Sequence, residues 1–178
     1  MNISRSVYRV RQFWLALVGK PQPGQLDQAG QLLSPQQFEL FQKMQASEQA
    51  HALHVLQQLQ AQGHQEPDLL AAALLHDVGK VQSPLRIWQR VLIVLSTAIA
   101  PRWVLHWGRG AARGWRRPFV VAAQHPQWGA QMAAQAGLSA LAVRLILRHQ
   151  ERLPADAPAA HDIEDRLLRK LQAADNES

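Results

Sequence analysis

The stretch AAALLHDVGK, Ala71 to Lys80, brings a histidine and an aspartate side by side to the end of an apolar run. An inert core helix has no use for an adjacent His-Asp pair near its buried face; a metal site does. Leu69, Ala72, Ala73 and His76 fall at helical intervals, so His76 shares the buried face, and Asp77 lies about 100° further round. The pattern recurs along the chain. His149 ends a stripe begun by Leu141 and Leu145, and Asp175 ends one begun by Leu168 and Leu171. His51 shares a stripe with Val55 and Leu59, and His125 precedes Pro126 on the side continued by Gly129, Met132 and Ala133. Imidazoles and carboxylates are costly to bury unless paired or ligated. Taken singly, each is most simply a satisfied core residue. Together, several helices whose apolar stripes all end or begin in His or Asp call for a shared partner, and the economical one is one or two metal ions.

The elements that must position these residues are helical, since apolar residues recur at helical spacing almost throughout and no strand pattern stands out. Val7, Val10, Trp14 and Leu17 form the apolar side of a basic amphipathic N-terminal helix, within a segment spanning residues 1–24. GKPQPGQ, Gly19 to Gln25, is a break. Ser34 and Pro35 cap and open a helix carrying Phe38, Phe41 and Met44. A second runs through EQAHALHVLQQLQAQG and ends at Gly63. The next has Asp68 as its cap and Gly79 as its stop. Residues 84–118 differ in kind: Trp88, Trp103, Trp107 and Trp115 stand among Arg86, Arg90, Arg102, Arg109 and Arg113, with Pro101 dividing two helical pieces. GRGAARGWRRP reads as a basic loop. A helix then starts with Pro126 in its first turn, another covers SALAVRLILRHQE, and the last covers IEDRLLRKLQAAD. The residues 25–178 read as a single all-α domain with an inserted Trp/Arg-rich segment.

Composition narrows the chemistry. The chain has 178 residues, 47% of them hydrophobic, which suits one globular domain. It has no cysteine, so disulfides and thiolate-bound zinc are excluded. Any metal must be held by histidine and carboxylate, which suits Fe, Mn, Co or Ni, with Zn also compatible. The formal net charge of +6 favours phosphate-bearing partners. The start of the chain lacks a long apolar core and a small-residue cleavage site, and the run Val91 to Pro101 is too short to span a bilayer. The expectation is a cytoplasmic protein, with peripheral attachment to the inner face of the cell membrane as an option.

The ordered set His51, His76-Asp77, His125, His149 and Asp175 resembles the HD-domain superfamily of metal-dependent phosphohydrolases, in its binuclear branch. The likeness runs from His51 to Asp175 and implies a helical bundle. It implies one metal held by His51, His76, Asp77 and Asp175, and a second held by His125 and His149 with Asp77 bridging. It further implies a nucleophilic water or hydroxide between two divalent transition-metal ions, acting on a phosphate ester or anhydride such as a nucleotide. In related enzymes a lysine at the position of Lys80 contacts substrate phosphate; the plainer reading is a solvated charge suited to a helix end. The chain departs from two branches. HQERLP lacks the second adjacent histidine and the GYP tripeptide of cyclic-dinucleotide enzymes, and HDVGKVQSP lacks the acidic pair of alarmone hydrolases. His54 competes with His51, but only His51 is followed four residues later by a branched aliphatic, Val55. His64, His106 and His161 read as ordinary residues in loop or flanking positions.

Two other functions fit the same residues. A di-iron oxygenase of this fold uses the same six ligands, and a non-catalytic sensing module keeps the fold without the chemistry; the complete ligand set speaks against the latter. The stripe Leu85, Trp88, Leu92, Leu95 and Ile99, ringed by arginines, has the composition of an interfacial helix, which makes an anionic membrane surface a candidate partner. The alternative is that it packs on the N-terminal segment and the core. Nucleic acid is disfavoured, since no aromatic-basic platform of a known type is present. The segment after the doublet is also a candidate lid. Oligomeric state is not legible.

Overall fold

The structure is a computed structural model, and it describes residues 19–153 and 162–177. The amphipathic N-terminal stripe and His161 lie outside the described residues. Among the described residues the fold is all-α, with nine α-helices and no strand. In chain order these are α1 (Pro23–Leu32), α2 (Pro35–Gln42), α3 (Ala46–Ala61), α4 (Pro67–Leu75), α5 (Ile87–Ile99), α6 (Pro101–Trp107), α7 (Arg117–Gln135), α8 (Ala140–Arg148) and α9 (Ile163–Glu177). Short 3-10 turns cover Val78–Gln82 and Gly114–Arg116.

Helix α4 is the axis of the fold. Leu69, Leu70, Ala72, Ala73, Leu74 and Leu75 are all buried, as expected of a helix apolar on every side. It packs against α3, α8 and α9, while α7 lies across the 3-10 turn that follows it and against α8. Leu53, Leu56 and Leu59 from α3, Leu145 and Ile146 from α8, and Leu167, Leu168 and Leu171 from α9 complete the core. Each such leucine contributes about 2 to 3 kcal/mol by leaving water.

Local signals explain most boundaries. Ser34 Oγ accepts from the Gln37 amide and Pro35 takes the first position of α2. Gly63 follows α3 with φ +83°, a conformation that favours glycine. Pro101 opens α6, and Asp162 Oδ1 accepts from the Glu164 amide as α9 begins.

Four boundaries differ from the sequence reading. The Pro/Gly break stops at Gln22, because Pro23 fits the first turn of α1 and Gln22 and Gln25 cap it reciprocally. Glu66, with Pro67 after it, precedes α4, and Asp68 sits inside the first turn. Helix α4 stops at Leu75, four residues before Gly79. Helix α7 begins at Arg117, so Pro126 lies within it and two residues of the expected basic loop are helical. His106 also lies inside α6 rather than in a loop.

Candidate metal centre

The six sequence-selected residues come together where α3, α4, α7, α8 and α9 converge. His51 comes from α3, and His76 caps the C-terminus of α4. Asp77 follows it, His125 comes from α7, His149 caps the C-terminus of α8, and Asp175 lies in the last turns of α9. The four imidazoles form a contiguous chain. Ring centroids are 5.3 Å apart for His51 and His76, 5.2 Å for His76 and His149, and 5.2 Å for His125 and His149.

One local rule orients three of these rings. His76 Nδ1 donates to the Ala73 carbonyl at 2.9 Å, and His149 Nδ1 donates to the Ile146 carbonyl at 2.7 Å. Both carbonyls belong to last helical turns, which lack amide partners further along the helix. His125 does the same in mid-helix, donating to the carbonyls of Val121 and Ala122, each at 3.0 Å. There the partner is freed by Pro126, whose nitrogen has no hydrogen for Ala122. A carbonyl only accepts, so each Nδ1 carries a proton and each Nε2 is the atom turned inward.

The inward atoms fall into two groups that share Asp77. One comprises His51, His76 and Asp77, the other Asp77, His125 and His149, with the donor atoms of each group within 4.8 Å of one another. Asp77 Oδ1 is 3.2 Å from His125 Nε2, and Asp77 Oδ2 is 3.6 Å from His76 Nε2. Asp175 Oδ1 lies 2.8 Å from His51 Nε2 and 3.5 Å from His76 Nε2. His76 Nε2 is thus buried between two carboxylates, drawn to both, yet hydrogen-bonded to neither. A buried polar atom without a partner costs about 1 to 3 kcal/mol. This orphaned nitrogen, flanked by carboxylates in a set of nitrogen and oxygen ligands, fits a position where a divalent metal ion takes the place of a proton.

The electrostatics agree. Burial opposes charge on His76, but the carboxylates of Asp77 and Asp175 overcome it and push the imidazole up to about 9. Burial pushes His149 down to about 3, with His76 and His125 adding to the effect. Asp77 and Asp175 are held well below the usual carboxylate range despite burial, Asp77 by Lys80 and then His76, Asp175 by His76 and then His51. The pocket stabilises anionic carboxylates, and two helix C-termini, those of α4 and α8, bring the negative ends of their dipoles toward it.

The sequence profile of the HD domain matches residues 49–178. The chain belongs to the HD-domain family. HD-domain proteins are in general metal-dependent phosphohydrolases, and the His/Asp groups described above are the candidate metal-binding residues of this one. No curated protein and no solved structure matches the chain.

Beside these groups a cavity of about 290 Å³ opens, lined on one side by His51, Asp77 and His125 and on the other by Arg90, Ile93 and Val94 of α5. That is near the lower end of small-molecule pockets, about 300 Å³. Lys80 reaches into it, 2.5 Å from Asp77 Oδ2 and 3.3 Å from Glu48 Oε2. Burial works against its charge, yet the two carboxylates hold its ammonium well above the ordinary lysine value. Lys80 is therefore engaged with the site rather than a solvated charge at a helix end.

Sequence reasoning missed two residues of this HD-domain cavity. Glu48 is buried, one helical turn before His51, and binds both Lys80 and Arg90, the latter at 2.5 Å. An acidic residue in the first turn of α3 suits the helix dipole, so it gave no other signal. Gln150 directly follows His149, and its Nε2 lies 3.5 Å from His125 Nε2. His54 is exposed and pairs with Gln58, away from the centre. His64, 3.9 Å from Glu66, also lies apart.

Gly79 sets the spacing of the whole centre. A Cβ there would stand 2.0 Å from the His125 carbonyl oxygen and 2.6 Å from the Gly129 nitrogen. Only a glycine lets the turn after Asp77 press against α7.

Proposed function

We propose that this HD-domain chain is a phosphohydrolase acting on a small phosphate-bearing substrate, a nucleotide or another phosphate ester or anhydride. The observation that carries the reading is one carboxylate with two duties. Asp77 turns one oxygen toward His125 and the other toward Lys80, so that it joins the imidazole cluster to the cation of the adjoining cavity.

His51, His76, Asp77 and Asp175 would hold one divalent ion, and Asp77, His125 and His149 a second, with Fe, Mn, Co or Ni the best matches and Zn compatible. Such ions supply a water of lowered pKa and positive charge for the attacking and leaving oxygens. The protein's own groups do the rest. Lys80 offers an ammonium kept charged by its neighbours, and a phosphate entering the cavity competes with Glu48 for it. Arg90 adds a guanidinium from the insertion. Ile93, Val94 and Leu85 limit water on the same wall. Glu48 holds both cations in place, which keeps the anion site formed before substrate arrives.

The test is phosphate release from a panel of nucleotides and simple phosphate esters by protein purified without oxygen and loaded in turn with each metal. Expected is release that vanishes in Asp77→Asn and falls about a hundredfold in Lys80→Ala, chiefly through KM. A fully metallated wild type that releases no phosphate from any substrate, or consumes dioxygen instead, would sink the proposal.

A further inference from the structure

Helix α5 is inside out. Its composition is strongly apolar, yet its one buried residue is Gln89. Trp88, Leu92, Leu95 and Ile99 recur at i, i+4, i+7 and i+11, which places them on one face. Among the described residues that face is open: Trp88 is 59% exposed, Leu95 54% and Ile99 82%. Helix α6 buries no residue at all, and Trp103 and Leu105 are 62% and 72% exposed. Packing on the core is therefore not what this stripe does among the described residues; only Leu85 is buried. Other tryptophans of the segment have a structural role, since Trp107 packs on Phe119 and Trp115 at 5.1 and 5.3 Å.

The charge around this face is of one sign. From Val78 to Gln150 the sequence has no Asp or Glu, and residues 86–117 carry seven arginines. Arg90 and Arg117 are engaged, the first with Glu48 and Ser47, the second with Ser83 and Pro84. Arg86, Arg102, Arg109, Arg113 and Arg116 are exposed. A second copy of the chain seated here would set like arginines against like. An anionic lipid surface answers both features, with apolar and tryptophan side chains at the headgroup–acyl boundary and arginines on the phosphates. No helix among the described residues is long and apolar enough to cross a membrane.

We infer that the α5–α6 helix pair docks on a bilayer bearing anionic headgroups. The same α5 that faces the lipid with Trp88, Leu92, Leu95 and Ile99 lines the cavity with Arg90 and Ile93. Docking thus sets the wall of the cavity directly against the bilayer. The inference does not rest on the proposed activity, because its test reads binding and not turnover.

The full chain is floated with vesicles of phosphatidylcholine alone and of phosphatidylcholine with phosphatidylglycerol, at low and high salt. Expected is flotation with the anionic vesicles only, weakened by salt, with tryptophan emission shifted to the blue. Replacing Trp88, Leu92, Leu95 and Ile99 together by serine lowers partitioning at least about tenfold. Replacing Arg102, Arg109 and Arg113 by glutamine removes the preference for anionic lipid. If the serine variant loses its helical circular dichroism, the arginine variant decides, since it alters exposed side chains alone. Failure of the wild type to float with anionic vesicles overturns the inference. So does equal flotation of wild type and folded variants, or a dimer that the serine variant dissolves without any lipid binding.

Discussion

His125 Nε2 and His149 Nε2 face each other at 3.3 Å, and both rings have already spent their Nδ1 protons on backbone carbonyls. The two inward nitrogens crowd each other, and His125 Nε2 also faces Asp77 Oδ1 at 3.2 Å. Burial disfavours a second proton on His149. A cation between or beside the two rings satisfies both nitrogens. Metal content should therefore fall from about two ions per chain to about one in His125→Ala, and to near none in Asp77→Ala, because Asp77 belongs to both groups. Metal analysis of the purified variants checks this; a wild type holding one ion would show that His125 and His149 are core residues.

Gly79→Ala tests the close approach of the turn to α7. The added methyl meets backbone at 2.0 and 2.6 Å, and backbone does not give way as a flexible side chain does. The expected loss is about 3 kcal/mol or more in urea unfolding, together with weakened metal binding, since His125 supplies the carbonyl that must move. Unchanged stability would show that the turn can draw back from α7.

The Glu48–Arg90 ion pair fastens the insertion to α3. Glu48→Gln should cost about 1 to 3 kcal/mol, because the guanidinium loses its buried carboxylate partner. Arg90 also binds Ser47 Oγ at 3.0 Å and Gln45 Oε1, so it is not left wholly unpaired. In a double-mutant cycle with Arg90→Gln the losses should be less than additive. Additive losses would mean that the two side chains do not act as a pair.

Acid stability should depend on Glu164. Burial works against its charge, but Arg148 and Arg144, at 2.7 and 2.5 Å, hold its carboxyl below the ordinary 4.5. A depressed folded value means that the unfolded chain binds the proton more readily. The contribution is therefore present above about pH 4.5 and is lost as pH falls through the lower folded value. Glu164→Gln should lower stability at neutral pH by about 1 to 3 kcal/mol and flatten the acid limb of the stability curve. An unaltered limb would place the acid sensitivity elsewhere.

The candidate centre was legible as a spatial cluster because several of its residues end apolar stripes. His76, His149 and Asp175 are visible from periodicity, since burial and chemistry fall on the same helical face. The all-helical class followed from the same signal. Boundaries were less legible where proline has two meanings. Pro126 reads as a helix start, but inside α7 its missing hydrogen bond is used by the neighbouring imidazole, a compensation that only three-dimensional placement reveals. Gly79 reads as a stop, while its reason is a contact with α7, some fifty residues later in the chain. Glu48 was hidden because its partners, Lys80 and Arg90, lie on other elements, and no local pattern marks such a pairing.

The carbonyl clasps on His76, His125 and His149 bear on how quickly the centre takes up an ion. Three rings already aimed need no rotation when an ion arrives, and no proton has to migrate from one ring nitrogen to the other. The slow event in loading is then the ion shedding its own hydration shell, not a rearrangement of the chain. Among divalent ions of similar affinity, the order of capture should follow their rates of water exchange, so that nickel enters slowly and manganese fast. The ion found in freshly made protein would then reflect speed of entry as well as strength of binding.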